Sequence, residues 1–249
     1  MTYSALRNQV DAGNIRSITP PGERQAVYPK EDVDRLAHEM EAFFAAKPST
    51  ASVFSKASKE DMPECVALST AIFGGVNIIP LETRLAWLDK NADIDYVLRH
   101  DGEMVGYASL VPLRPETLEP LLRDELLAKD ITPDDIEEFK PGKPLQVYIM
   151  AMGVKPRLSK LEKRTYAARL IKGLRDVIID MGKRGVTIAT IIARSEVPDG
   201  IHMLRHTGFT EIASEVPGTR NFMIEVEKSG IPALVEYKRE LAAWKETQR

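Results

Sequence analysis

Apolar and polar positions along this chain alternate between a strand period and a helix period from about residue 54 to residue 226. Asp95-Tyr96-Val97-Leu98-Arg99 and Met104–Val111 read as strands on either side of His100-Asp101-Gly102-Glu103, where the Asp-Gly pair predicts a tight hairpin turn. Leu145–Val154 is a third apolar run, ended by Lys155-Pro156. After it, Ala167, Leu170, Ile171, Leu174, Val177, Ile178 and Met181 recur at the spacing of one helical face, and Gly182 and Gly185 close that helix. Thr187–Ala193 is β-branched throughout much of its length and reads as a fully buried strand. A strand–helix–strand unit of this length implies a right-handed parallel crossover. A short helix (Gly200–His206), Gly208-Phe209 and strand patterns over Thr210–Glu215 and Asn221–Val226 follow. Ile231–Lys245 reads as a last helix, with Pro232 near its start and Leu234, Tyr237, Leu241 and Trp244 on one face.

These patterns predict a mixed α/β (α+β) chain in four parts. Residues 1–47 hold short elements and a helix, 48–53 form a small, polar linker, 54–226 form the large domain and 227–249 a helical extension. Residues 112–143 interrupt the large domain with two short helix patterns, Glu116–Ala128 and Thr132–Glu138. This insertion carries nine acidic and five basic residues. It is either a solvated helical excursion or a lid over a substrate cleft or a subunit interface. Its charge favours a cationic substrate through simple complementarity.

Composition narrows the class. The chain has 249 residues, 43% hydrophobic and 29% charged, an ordinary globular balance. A net charge of −3 gives no global attraction to nucleic acid or to an anionic membrane. The single cysteine, Cys65, excludes an intrachain disulfide and fits a reducing cytoplasm; its spacing to Leu68 and Ile72 reads as buried filler. The N-terminus lacks the pattern of a secretion signal, and no apolar run approaches the ~20 residues that span a bilayer. The expectation is a cytoplasmic protein without membrane contact. His38, His100, His202 and His206 do not cluster with other ligands, so no metal is expected.

The order of elements resembles the GCN5-related N-acetyltransferase (GNAT) family over about residues 54–226. The residues that carry the likeness are Phe54–Met62 for an opening strand and helix start, and Gly102-Glu103-x-Val105-Gly106 in the hairpin. Met152-Gly153-Val154-Lys155-Pro156 matches the end of the central strand, and Gly208-Phe209 the closure after the short helix. The resemblance implies a GNAT-like acyl-CoA N-acyltransferase fold, with acetyl-CoA as cosubstrate and an amine as acceptor. It further implies that two parallel strands diverge after Tyr148. Backbone groups near Met152, Gly153 and Val154 would then face the thioester, and the start of the long helix would face the pyrophosphate.

Two departures stand out. Where the family has a glycine-bearing phosphate turn, this chain has Arg157-Leu158-Ser159-Lys160-Leu161-Glu162-Lys163-Arg164, without glycine. Either Arg157, Ser159, Lys160, Lys163 and Arg164 replace the backbone cradle, or cofactor binding has decayed. Where many members carry a tyrosine acid in the short helix, this chain has Met203-Leu204. Acyl transfer to an amine needs positioning and removal of a proton, for which Glu82, Tyr148 and Glu196 are the candidates.

Residues 2–36 resemble part of a MerR/excisionase-type winged helix-turn-helix lacking its first helix. Tyr3–Ile15 matches the recognition helix, Thr19-Pro20-Pro21-Gly22 the wing, and Tyr28-Pro29-Lys30-Glu31-Asp32-Val33 the start of the closing helix. By that resemblance Ser4, Arg7 and Asn8 face the major groove, and Arg24 and Gln25 contact phosphate. The same piece is also suited to pack on the large domain or on a second subunit. Three functions therefore stand: an acetyl-CoA-dependent N-acetyltransferase, a DNA-binding regulator using the GNAT-like domain as a sensor, and an inactive scaffold. The short N-terminal unit and the Trp244 face both suit a homodimer.

Overall fold

The computed structural model describes residues 9–10, 15–22, 25–44, 52–75 and 78–248. The chain order is α1 (Lys30–Phe44), β1 (Ser52–Lys56), α2 (Met62–Phe73), α3 (Leu81–Lys90), β2 (Asp95–His100), β3 (Glu103–Leu113), α4 (Pro115–Leu122), β4 (Leu145–Val154), α5 (Lys160–Lys183), β5 (Ile188–Ser195), α6 (Pro198–His206), β6 (Thr210–Ile212), β7 (Arg220–Glu225) and α7 (Pro232–Thr247). The seven strands form one mixed sheet in the order β1-β2-β3-β4-β5-β7-β6. Every neighbouring pair is antiparallel except β4 and β5. The succession of elements along the chain, with the parallel crossover from β4 through α5 to β5, is the one that the sequence resemblance implies.

Local chemistry explains the main joints. The β2–β3 hairpin turns at Asp101 (φ 50°) and Gly102 (φ 82°), the two left-handed positions that an Asp-Gly turn supplies. The α5 helix crosses from β4 to β5, burying Leu170, Leu174 and Met181. Its far end is closed by α7. Tyr237 Oη donates to the Val186 carbonyl at 2.8 Å and accepts from the Ile188 amide at 2.7 Å. Gly185 has φ 77°, and a Cβ there would lie 2.4 Å from the Trp244 ring. The face bearing Leu234, Tyr237, Leu241 and Trp244 is therefore spent within the chain, which corrects its expected use as a dimer surface.

The insertion differs from its pattern. Its first helix stops at Leu122, with Pro120 inside the last turn and Asp124 in the left-handed region at φ 58°. The second expected helix is only the 3₁₀ turn Pro133–Asp135. Nor is the segment merely solvated. Leu118, Leu121, Ile131, Ile136 and Phe139 are buried, and the Trp87 indole donates to the Ile131 carbonyl at 3.0 Å. The final strand pair is also shorter than expected, because β6 ends at Ile212. Ser52, placed in the linker by its composition, opens β1 opposite His100.

In the N-terminal piece, Ile18 and Val27 form an antiparallel bridge ahead of α1. Gln9 is buried and donates from Nε2 to the Arg205 carbonyl at 2.8 Å, so this piece packs on the end of α6. No helix among the described residues is long and apolar enough to cross a membrane.

Candidate active site

The site is built by the parting of two parallel strands. β4 and β5 pair from Leu145–Ile188 to Ile149–Ala193 and no further. Beyond that point β4 follows β3 to Val154, while β5 follows β7 to Ser195. A bulge starts the divergence. Across β3, Ile149 faces Leu110 and Ala151 faces Ser109, which leaves Met150 without an opposite residue. A bulge of this kind bends its strand and increases local twist. Met150–Val154 thus presents one unpaired edge towards β5. Gly153 keeps α2 close: a Cβ there would sit 3.0 Å from Ile72 Cδ1.

The chain leaves that edge through a turn at Lys155–Ser159 and enters α5. Arg157 occupies φ 66°, a costly conformation for a residue with a side chain. Ser159 caps the helix. Its Oγ accepts from the Glu162 amide at 3.2 Å, and the Glu162 carboxylate accepts from the Ser159 amide at 2.9 Å. Those bonds hold the Glu162 carboxyl below its usual range. Arg157, Lys160, Lys163 and Arg164 are exposed and make no ion pair among the described residues. A cavity of about 530 Å³ opens beside the turn, lined by Glu64, Leu68, Met104, Lys155, Pro156 and Arg157.

The other flank belongs to the insertion. Residues opposite each other in a ladder share a face, and faces alternate along a strand. Tyr148 lies opposite Val111 and Ile192, so Arg194 shares its face; Asn221 lies opposite Arg194. The Arg194 guanidinium donates from Nη1 to the Leu121 carbonyl at 3.0 Å and to the Asp124 carboxylate. Its Nη2 stands 3.6 Å from Glu196, which also accepts from Thr219 Oγ1 at 3.1 Å. Burial works against the charge of Arg194, but Asp124, Tyr148 and Glu196 outweigh it and raise its pKa. Burial pushes the Tyr148 hydroxyl up, so it stays protonated. Among the described residues no three His, Cys, Asp or Glu side chains could hold a metal ion.

Beneath the bulge lies a buried polar cluster. Arg84 and Asp95 are each 1% exposed at their side chains, with Nη1 and Oδ1 3.6 Å apart. Burial pushes the Asp95 carboxyl up while Arg84 pulls it down. Ser109, opposite both Asp95 and Ala151, ties this cluster to the bulged strand. Cys65 is fully buried nearby, its thiol pushed up to about 12 by burial and Asp95, so it is no nucleophile.

The candidates divide cleanly. Met152, Gly153, Val154, Arg157, Ser159, Lys160, Lys163 and Arg164 form one continuous strip from the open edge into α5. Glu196 and Tyr148 stand on the insertion flank. Glu82 is exposed in the first turn of α3. Leu204, standing for the family's tyrosine acid, is buried. Ser4, Arg7, Asn8 and Arg24 lie outside the described residues, and Gln25 is exposed beside the Ile18–Val27 bridge. Sequence reasoning missed Arg194, Asp124 and Asn221. A charged residue ending the apolar run before Ser195 was the available signal for Arg194.

No protein-family model matches the chain, and no curated protein matches it in sequence. Among solved structures it is similar to Arabidopsis thaliana Naa50 in complex with a CoA-Ac-MVNAL bisubstrate analogue, at 10% identity and a TM-score of 0.45, covering 70% of this chain and 97% of that one. It is also similar to yncA of Salmonella typhimurium, a putative acetyltransferase with acetyl-CoA, at 17% identity and a TM-score of 0.42, covering 74% and 98%. A third is an N-acetyltransferase from Staphylococcus aureus Mu50, at 13% identity and a TM-score of 0.45, covering 70% and 98%.

Proposed function

We propose that the chain transfers an acetyl group from acetyl-CoA to an amine. One observation carries this reading: the edge of β4 from Met150 to Val154, unpaired on its β5 side, leads through the Lys155–Ser159 turn to the N-terminus of α5. Unpaired main-chain groups at such an edge bind an extended polar arm, and each hydrogen bond contributes about 1 kcal/mol net.

The open edge fits the amide-bearing arm of coenzyme A, and four unpaired cations fit its pyrophosphate and ribose phosphate. Glu162 opposes an anion, since its carboxylate already takes the Ser159 amide. Four cations against one carboxylate leave the turn positive, so the group fits. Arg157, Lys160, Lys163 and Arg164 hold the phosphates through side chains, in place of a glycine cradle.

Bound there, acetyl-CoA would supply a thioester. With the phosphates at α5, the acceptor comes from the opposite flank, between Tyr148, Arg194 and the insertion. Its nitrogen would attack the thioester carbonyl carbon, forming the C–N bond as the C–S bond breaks; the coenzyme A thiolate would leave and take its proton from solvent, since Leu204 has none to give. Glu196, 65% exposed at this mouth, takes the amine proton. The Tyr148 hydroxyl, held protonated, donates a hydrogen bond and does not act as the base.

Calorimetric titration of the full chain with acetyl-CoA tests the reading. Saturable heat with a micromolar to submillimolar Kd supports it. A flat titration at millimolar ligand overturns it.

A further inference from the structure

The flank that receives the acceptor is charged and partly unsatisfied. Asp124 and Glu196 stand at Arg194, and Glu125, Glu215 and Glu119 stand around Arg123, the neighbour of Asp124 at the insertion tip. Three of the carboxylates are directly paired, Asp124 and Glu196 to Arg194 and Glu125 to Arg123 at 3.1 Å. Glu215, in the β6–β7 loop, and Glu119, on α4, are close enough to Arg123 to help raise its pKa. Glu215 and Glu119 are exposed and make no ion pair among the described residues. The rim therefore keeps excess negative charge although the whole chain is nearly neutral.

A second observation is independent of that charge. Asn221 is 3% exposed, and its Oδ1 has no hydrogen-bond partner among the described residues. A buried carbonyl oxygen left unpaired costs about 1–3 kcal/mol, so it marks a place where a donor is missing. Asn221 rises from β7 opposite Arg194, on the face that Tyr148 and the insertion share. Asp124 pairs with Arg194, which also donates to the Leu121 carbonyl, so these contacts tie the insertion tip to the same face.

We propose that this flank selects an acceptor amine carrying a second positive charge, as in an alkyl diamine or a lysine beside another cation. The Asn221 Oδ1 accepts a hydrogen bond from the attacking nitrogen. Glu215 and Glu119 attract the distal ammonium, and Arg194 positions the insertion that carries Glu119. This inference rests on the acetyl-transfer reading and adds the acceptor class to it.

The experiment compares acetyl transfer by the full chain to putrescine and to butylamine, which differ by the distal ammonium. A blocked peptide with two adjacent lysines, set against one with a single lysine, forms the second arm and identifies the source of the charge. The predicted kcat/KM for putrescine or the dilysine peptide exceeds that of its singly charged partner by about two- to fivefold, the factor of one exposed charge contact. Glu215→Gln, at an exposed position that tolerates substitution, shrinks that ratio through KM. Asn221→Leu, of similar size but without an acceptor, lowers kcat for every amine. Acetyl-CoA titration of each variant checks that it is folded. Equal kcat/KM for the paired amines, or a ratio untouched by Glu215→Gln, overturns the inference while acetyl-CoA heat keeps the transfer reading in place. Absence of acetyl-CoA heat in the unaltered chain removes both.

Discussion

The Glu162 carboxylate accepts the amide of Ser159 at 2.9 Å, which puts a negative charge at the helix terminus where Arg157, Lys160, Lys163 and Arg164 converge. The bond stabilises α5 and opposes an anionic ligand at the same place. Glutamine serves a capping box as well as glutamate does. Glu162→Gln is therefore expected to preserve the helix and to tighten acetyl-CoA about threefold, the effect of removing one like charge at several ångströms in water. Calorimetry on the variant checks it; unchanged or weaker binding speaks against phosphates at this turn.

The cations themselves are expected to act in the opposite direction. Charge reversal at Lys163 and Arg164 together removes charge-assisted bonds of about 1.5–3 kcal/mol each. Acetyl-CoA affinity should fall by about a hundredfold or more, while thermal unfolding moves little because both residues are exposed. Equal affinity in the reversed protein would make them bystanders.

Much of this was legible beforehand. The helix periodicity from Ala167 to Met181 and the buried run Thr187–Ala193 left little choice but a parallel crossover, and Asp101-Gly102 left little choice of turn. The donor strip was also readable, because it is continuous in sequence. The acceptor flank was not. Arg194, Asp124 and Asn221 come from a strand end, an insertion and another strand, and only the β4–β5–β7 ladder brings them together. The Met150 bulge was equally hidden, since it is a property of pairing with β3 and not of the run Leu145–Val154 itself. Helix propensity misled within the insertion, where Pro120 and the turn at Asp124 override the apolar spacing.

Under the bulge, the Arg84–Asp95 pair is expected to be expensive to break. Arg84→Met leaves Asp95 buried without a counter-charge, a loss of about 3–5 kcal/mol. Denaturant unfolding should show it as a lower midpoint at unchanged slope. A loss within experimental error would mean the pair is not held buried together.

Gly185 is expected to resist substitution for two reasons at once, its φ of 77° and the Trp244 ring 2.4 Å from a would-be Cβ. Gly185→Ala should cost about 2–4 kcal/mol from left-handed strain and overpacking together. Pairing it with Trp244→Ala relieves the second cost only, so a thermal-melt double-mutant cycle should show clear coupling.

The N-terminal piece carries its own pH signature. Arg16 donates to Asp32 at 2.8 Å and holds that carboxyl down to about 2, against an ordinary value of 3.8. A lowered folded pKa stabilises wherever the carboxyl is ionised. The contribution is complete above pH 3.8 and is lost as the pH falls towards about 2. The melting difference between Arg16→Met and the unaltered protein should therefore be greatest near neutrality and fade across that interval.

The most direct examination is a crystal structure of the full chain grown with coenzyme A. The pantetheine arm is expected along Met150–Val154, hydrogen-bonded to the main chain, with the pyrophosphate against Lys160, Lys163 or Arg164. Ligand seated elsewhere, for example in the cavity of about 420 Å³ between Phe54, Tyr96 and Arg169, with the β4 edge left empty, would contradict the account.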